Sequence, residues 1–260
     1  LTLKPENTPI NDSPWYAFKV TSSKNQEIDV VMEVEDGKHR YLPKVSRNKK
    51  NWSLLPYTNR NEKMKFTLAV SDVPIWVAGQ EIIDNEDYVK WGKNVAELPH
   101  VEHSLLGLST QERPIYKIVS EGEGKEWLIL MGRMHPPELT GAMALFPFTQ
   151  TILANREQSN LFRERFNVLI IPNLNPDGVY MGNWRHNANG LDLNRDWNKF
   201  TQAETKLVKE AIEDIVASGG KIKFSVDFHS TRRNILYSMP NTYKVENPLF
   251  VDKWLRVFNN

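Results

Sequence analysis

His135 and Glu138 stand three residues apart in Gly132-Arg-Met-His135-Pro-Pro-Glu138, directly after an apolar run that ends at Met131. An imidazole and a carboxylate at that separation can both reach one metal ion, and the two prolines lower the cost of ordering the site. Taken alone, the spacing is equally that of a surface histidine beside a helix-capping glutamate. A second segment changes the balance, because Asp227-Phe-His229-Ser230 brings another imidazole to the end of a second apolar run. Two histidines and one glutamate from distant segments make a catalytic zinc set with a fourth position open to water, whereas structural zinc sites close all four. The other reading of His229 is a buried, hydrogen-bonded imidazole.

Such groups converge only if strands carry them to one edge of a sheet. From about Pro114, short Val- and Ile-rich runs alternate with longer segments of helical periodicity, which implies a parallel or mixed sheet. The strand candidates are 115–119, 127–131, 166–172 and 222–228, whose near-continuous hydrophobicity fits strands covered on both faces. Thr201 with Glu204 three residues on reads as a capping box opening a helix that Gly219-Gly220 stops. Another helix is expected from about Glu138 to Ala154, kinked at Pro147. Upstream, 15–20, 28–34 and 64–70 read as strands of a small antiparallel β-sandwich with one wet face. The expected organisation is therefore a β-sandwich domain over 1–78 and an α/β domain over 79–260.

Composition bounds the partners. A length of 260 residues allows one large domain or two modest ones. Lys and Arg number 33 against 32 Asp and Glu, so no whole-chain attraction to nucleic acid or an anionic membrane is expected. Residues 44–65 hold seven Lys or Arg with Trp52 and Tyr57 between them, and read as a solvated loop rather than a nucleic-acid stripe. Cysteine is absent, which excludes disulfides, thiolate metal ligands and a cysteine nucleophile. No apolar run approaches the roughly 18 residues of a membrane span.

The loop between the candidate ligands is the most specific part of the chain. It runs Asn173-Leu-Asn175-Pro-Asp177-Gly178, then Gly182-Asn-Trp-Arg185, then Asp192-Leu-Asn194-Arg195-Asp-Trp197. With His135-x-x-Glu138 before it and Asp227-Phe-His229-Ser230 after it, the order and spacing resemble the zinc metallocarboxypeptidase family. The His-Pro-Pro-Glu variant and the upstream β-domain are similar to its cytosolic carboxypeptidase branch and bacterial relatives. The resemblance implies one Zn2+ per chain held by His135, Glu138 and His229. It implies that Asp192 supports His135 from behind, that Arg185 stabilises the developing oxyanion, and that Asn194 and Arg195 bind the substrate's terminal carboxylate. Ser230 is read as lining the site behind the ligands, while Asn175–Gly178 shapes a turn in which Asp177 bonds locally. His100 and His103 lack a third partner and read as structural.

The implied activity is hydrolysis of the C-terminal bond of a peptide or protein by metal-activated water. Alternatives are a zinc amidase or N-acyl-amino-acid deacylase, and a non-catalytic zinc- and carboxylate-binding module. The family's general-base glutamate and mobile tyrosine belong to a later region than this chain reaches. Glu246 lies in a turn-like segment and Tyr237 too early, so the catalytic domain is expected to be incomplete at its C-terminus. The start at Leu1 leans towards a bacterial periplasmic or secreted protein, whereas the cytosolic branch points to the cytoplasm; oligomeric state is not readable. One zinc per chain is the expected outcome of metal analysis. His135→Ala should abolish it, and undiminished zinc in that variant would remove His135 from the ligand set.

Overall fold

Lys63 to Val70 alternates exposed and buried at every residue, the period of a strand with one face in water. It is the longest of the inner strands in the first part of the chain after Gln26–Val34. Eight strands come first: β1 (Thr2–Leu3), β2 (Ala17–Val20), β3 (Gln26–Val34), β4 (Lys44–Ser46), β5 (Ser53–Leu54), β6 (Thr58–Arg60), β7 (Lys63–Val70) and β8 (Ile75–Ala78). They form two four-stranded sheets, β1-β3-β7-β6 and β2-β8-β4-β5. All pairs are antiparallel except β1 with β3. Met32, Met64, Phe66 and Leu68 from one sheet meet Ile75 and Val77 from the other in a shared core. The arrangement is a sandwich. Its 44–65 stretch is not a continuous loop, since β4, β5 and β6 lie within it. These strands are two or three residues long and mostly exposed, so they leave no hydrophobic period to read.

The computed structural model describes residues 1–7, 13–35, 37–231, 233, 235–240 and 242–257. Leu1–Ser230 form one compact unit and Thr231–Asn260 a second, which contains a short helix, α6 (Phe250–Arg256). Among the described residues no helix is long and apolar enough to cross a membrane.

The α/β layer follows the sandwich in the order α1 (Asn85–Val95), β9 (Glu102–Leu108), β10 (Pro114–Ser120), β11 (Glu126–Gly132), α2 (Leu139–Leu153), α3 (Glu157–Arg165), β12 (Phe166–Ile171), α4 (Pro176–Met181), α5 (Ala203–Ala217) and β13 (Lys221–Phe228). The sheet order is β13-β11-β12-β10-β9. β11 runs parallel to β12 and β13, while β10 is antiparallel to β12 and β9, so the sheet is mixed. Alternate residues of the inner strands serve opposite cores. Ile129, Leu169 and Ile171 pack with Val208 and Ile215 of α5; Leu128, Leu130, Val168 and Ile170 pack with Leu145 and Leu153 of α2 and Val95 of α1. Each fully buried side chain of this kind stabilises the layer by roughly 1.5–3 kcal/mol. Met131 pairs with Ile171, and Gly132 with Phe228, so three parallel strands end at one edge.

α5 is not capped as expected. Its N-cap is Gln202, the hydroxyl of Thr201 donates to Asp196 Oδ1 at 2.7 Å, and Glu204 is fully buried beside Asn187. Asp196 supplies the missing acceptor instead. It takes the backbone N–H of Thr201 at 3.0 Å and of Gln202 at 2.9 Å, together with the hydroxyl of Thr205. Burial alone would raise the Asp196 pKa, but the hydroxyls of Thr205 and Thr201 and the N–H of Gln202 outweigh it and hold the value at about 2. A depressed carboxyl pKa contributes stability above its ordinary value and loses it as pH falls towards the folded value. Asp196→Ala should therefore cost about 2 kcal/mol at pH 7. In urea unfolding the gap between variant and parent should narrow below about pH 4, and a pH-independent gap would show that the carboxylate charge contributes nothing.

Candidate metal centre

The loop leaving β11 is built around a buried cation. Arg133 adopts a positive φ of 52° and is 3% exposed. Its Nε donates to the carbonyl of Pro136 at 2.7 Å, and Nη1 donates to the carbonyl of Ile83 at 3.1 Å and the hydroxyl of Tyr88 at 3.0 Å. Asn175 Nδ2 donates to the Met134 carbonyl at 3.0 Å, and Gln80 Nε2 to that of Pro137 at 2.7 Å. The bonds to the Met134, Pro136 and Pro137 carbonyls fix the backbone around His135, while those to Ile83 and Tyr88 anchor Arg133 itself.

Both imidazoles turn the same atom inward. His135 Nδ1 lies 3.0 Å from Glu138 Oε1, and His229 Nδ1 lies 2.7 Å from Glu138 Oε2. Their far nitrogens each meet a carboxylate, His135 Nε2 at 2.9 Å from Asp192 Oδ1 and His229 Nε2 at 2.9 Å from Asp227 Oδ2. One ligand atom from each of His135, Glu138 and His229 falls within 4.8 Å of the others, the one such group among the described residues. A carboxylate behind each imidazole fixes its tautomer and raises its basicity, as metal-binding histidines require. The donor set therefore fits zinc.

Charge and backbone lock the three together. Burial alone would raise the Glu138 pKa, but the bonds from His135 and His229 outweigh it and hold it at about 2. Burial likewise disfavours the charged His229, yet Asp227 and Glu138 together push its pKa up to about 10. Ser230 donates its N–H to Glu138 Oε2 at 2.9 Å, while its Oγ accepts from Gly141 N at 2.8 Å and Thr140 Oγ1 at 2.6 Å. Gly141 has no alternative residue here, because a Cβ would lie 2.9 Å from the carbonyl oxygens of Phe228 and His229. The first turn of α2 thus sits directly on the end of β13.

Asp192 reaches beyond the candidate metal ligands. Besides His135, its Oδ1 accepts the N–H of Asn194 at 2.9 Å, and its Oδ2 accepts Nε of Arg185 at 2.8 Å. Burial would raise its pKa, but His135 and Arg185 hold it well below the usual carboxylate range. Asn194 and Arg195 follow on a single 3₁₀ turn, Leu193–Arg195, whose exposed Arg195 donates Nη1 to the Asn194 carbonyl at 3.3 Å. Asn175 shapes its turn by accepting the N–H of Gly178 at 2.9 Å. Asp177 does not bond locally: it is fully buried and accepts from Ser109 at 2.7 Å, Arg113 at 2.8 Å and the N–H of Gln111 at 3.0 Å. His100 and His103 are not a pair, since His100 Nε2 faces the Leu153 carbonyl at 3.0 Å and His103 packs on Tyr116.

A family model described as zinc carboxypeptidase matches residues 88–255, more than half of the chain. The chain belongs to the zinc carboxypeptidase family. Members of this family use zinc, and His135, Glu138 and His229 are the residues here that can hold it. Cytosolic carboxypeptidase 3 of Bos taurus is 35% identical over 96 residues, 37% of this chain and 9% of that protein. An uncharacterised protein of Zymomonas mobilis is 25% identical over 222 residues, covering 83% of this chain and 58% of its own length. A metallo-carboxypeptidase of Pseudomonas aeruginosa, solved in complex with (2-guanidinoethylmercapto)succinic acid, has the same fold with a TM-score of 0.70 at 20% identity, over 85% of this chain and 62% of that one. The chain thus spans less than two thirds of the length of each of these relatives.

Asp227 is the site residue that motif reading passes over. Its signal is its place two residues before His229, on the same side of an extended strand. Asp227→Asn keeps the side-chain size but removes the charge behind His229. Zinc should remain at one per chain while affinity falls roughly 10–100-fold, as read by competition with a chromophoric chelator. Unchanged affinity would detach Asp227 from the centre.

Proposed function

We propose that this chain carries the zinc centre and carboxylate clamp of a carboxypeptidase that removes the last residue of a peptide or protein. The observation that carries the reading is Asp192, whose two oxygens join a candidate zinc ligand to Arg185 and to the backbone of Asn194. Residues 1–78 are taken as an N-terminal β-sandwich domain and 79–260 as part of the catalytic domain. His135, Glu138 and His229 hold zinc, which when bound supplies a Lewis acid that polarises a carbonyl and makes water ionisable near neutral pH.

The remaining roles belong to the chain's own side chains. Arg195 is exposed at the tip of its turn and presents a planar fork suited to two charge-assisted bonds to a terminal carboxylate. Asn194, one residue before it, adds a neutral donor. Arg185 spends Nε on Asp192 and so addresses the oxygen of the scissile carbonyl through its terminal nitrogens. The succinic acid compound bound by the Pseudomonas aeruginosa protein is a carboxylate ligand on the same fold, which supports a carboxylate-binding reading.

Arg195→Ala should lower kcat/KM for peptides with a free C-terminus by about 10- to 100-fold, mostly through KM, since a hydrogen bond to a charged partner contributes roughly 1.5–3 kcal/mol. Peptides with an amidated C-terminus should be poor substrates of the parent protein. Equal cleavage of free and amidated peptides would overturn the exopeptidase reading, and a preference for N-acyl amino acids would favour a deacylase.

A further inference from the structure

The loop that carries Arg185 is held by a residue of the N-terminal segment. Trp184 donates its N–H to Glu6 Oε2 at 2.7 Å, and Arg185 and His186 donate theirs to Glu6 Oε1 at 2.9 and 2.7 Å. His186 Nδ1 lies 2.9 Å from the same oxygen. Three consecutive backbone N–H groups aimed at one point make an anion-binding concavity, and here the chain fills it with its own carboxylate from some 180 residues away. Trp184 and His186 are buried and Arg185 is half-buried, so these donors have little access to water.

Neighbouring contacts keep Glu6 in register. Asn7 Nδ2 donates to the Gly190 carbonyl at 2.8 Å, and Trp184 Nε1 donates to the Trp15 carbonyl at 3.1 Å. Arg185 is thereby gripped twice, its backbone by Glu6 and its side chain by Asp192. Asp192 restrains the guanidinium at Nε, and Glu6 fixes the backbone from which the side chain hangs.

We infer that Glu6 is a positioning residue for the reaction: it sets the backbone from which Arg185 reaches the scissile carbonyl. The inference rests on the role proposed above for Arg185. It assigns the N-terminal segment a direct part in the catalytic geometry, because a displacement of about 1 Å in a reacting group costs on the order of 100-fold in rate.

The test is a double-mutant cycle on the zinc-loaded full-length protein with a peptide bearing a free C-terminus. Glu6→Gln should lower kcat about 10- to 100-fold while KM and the zinc content stay at parental values, because the carboxylate clamp and the ligands are untouched. In the Arg185→Ala background the same change should cost less than about twofold. Full additivity of the two losses would overturn the inference, as would a loss confined to KM or to zinc. If Arg185→Ala lowers kcat and Glu6→Gln does not, only the role of Glu6 falls; if Arg185→Ala itself leaves kcat unchanged, the proposed role of Arg185 falls with it. Should Glu6→Gln fail to fold, Glu6→Asp, which keeps the charge but is one methylene short, takes its place and must show the same non-additivity.

Discussion

The side chain of Asp192 is where the two halves of the site become one object. A carboxylate has enough lone pairs to serve several donors at once, and this one serves an imidazole, a guanidinium and a backbone N–H. A shift of the His135 ring therefore drags on Arg185, and a shift of the 3₁₀ turn drags on both. Low local dielectric strengthens each bond in such a network and makes the loss of any member costly. The other features of the edge serve to hold Asp192 opposite His135, from the parallel strands that end together to the buried Arg133 that shapes the intervening loop.

The sandwich is part of that arrangement rather than an appendage to it. Trp15 packs with Leu139 and Trp184 in a small core of its own, so the entrance of α2 and the arginine loop share apolar contacts with the N-terminal layer. Gln80, just past β8, bonds the loop between His135 and Glu138. Hydrophobic contacts of this kind are non-directional and set proximity, while the hydrogen bonds that accompany them set register.

Much of this was readable from the chain, for reasons that differ by element. The inner strands β11, β12 and β13 announce themselves because burial on both faces demands an unbroken apolar run. The candidate ligands show in their spacing, and the arginine loop in its resemblance to a family. What escapes is everything that depends on distant partners. Thr201 and Glu204 have the spacing of a local cap, yet Asp196 captures Thr201 and Asn187 captures Glu204. Asp177 looks like a turn residue and proves to tie down the segment from Ser109 to Arg113. α1 leaves little trace in the sequence although Asp84 and Asp87 cap it reciprocally, because its polar face dominates a short stretch. β4, β5 and β6 are too short and too wet to show a period. Local propensity is visible in one dimension; the choice among competing hydrogen-bond partners is made in three.

Glu138 and His229 meet across a sequence separation of 91, with Gly141 allowing the contact at backbone distance. During synthesis the chain emerges from its first end, so His135 and Glu138 leave the ribosome well before His229 does. Until then the nascent chain offers a metal two adjacent donors, a weak chelate. Closing the remaining loop carries an entropic cost that grows with its logarithm, and β13 must add to the edge of the sheet before the third donor arrives. The three candidate donors thus come together only once β13 has docked beside β11.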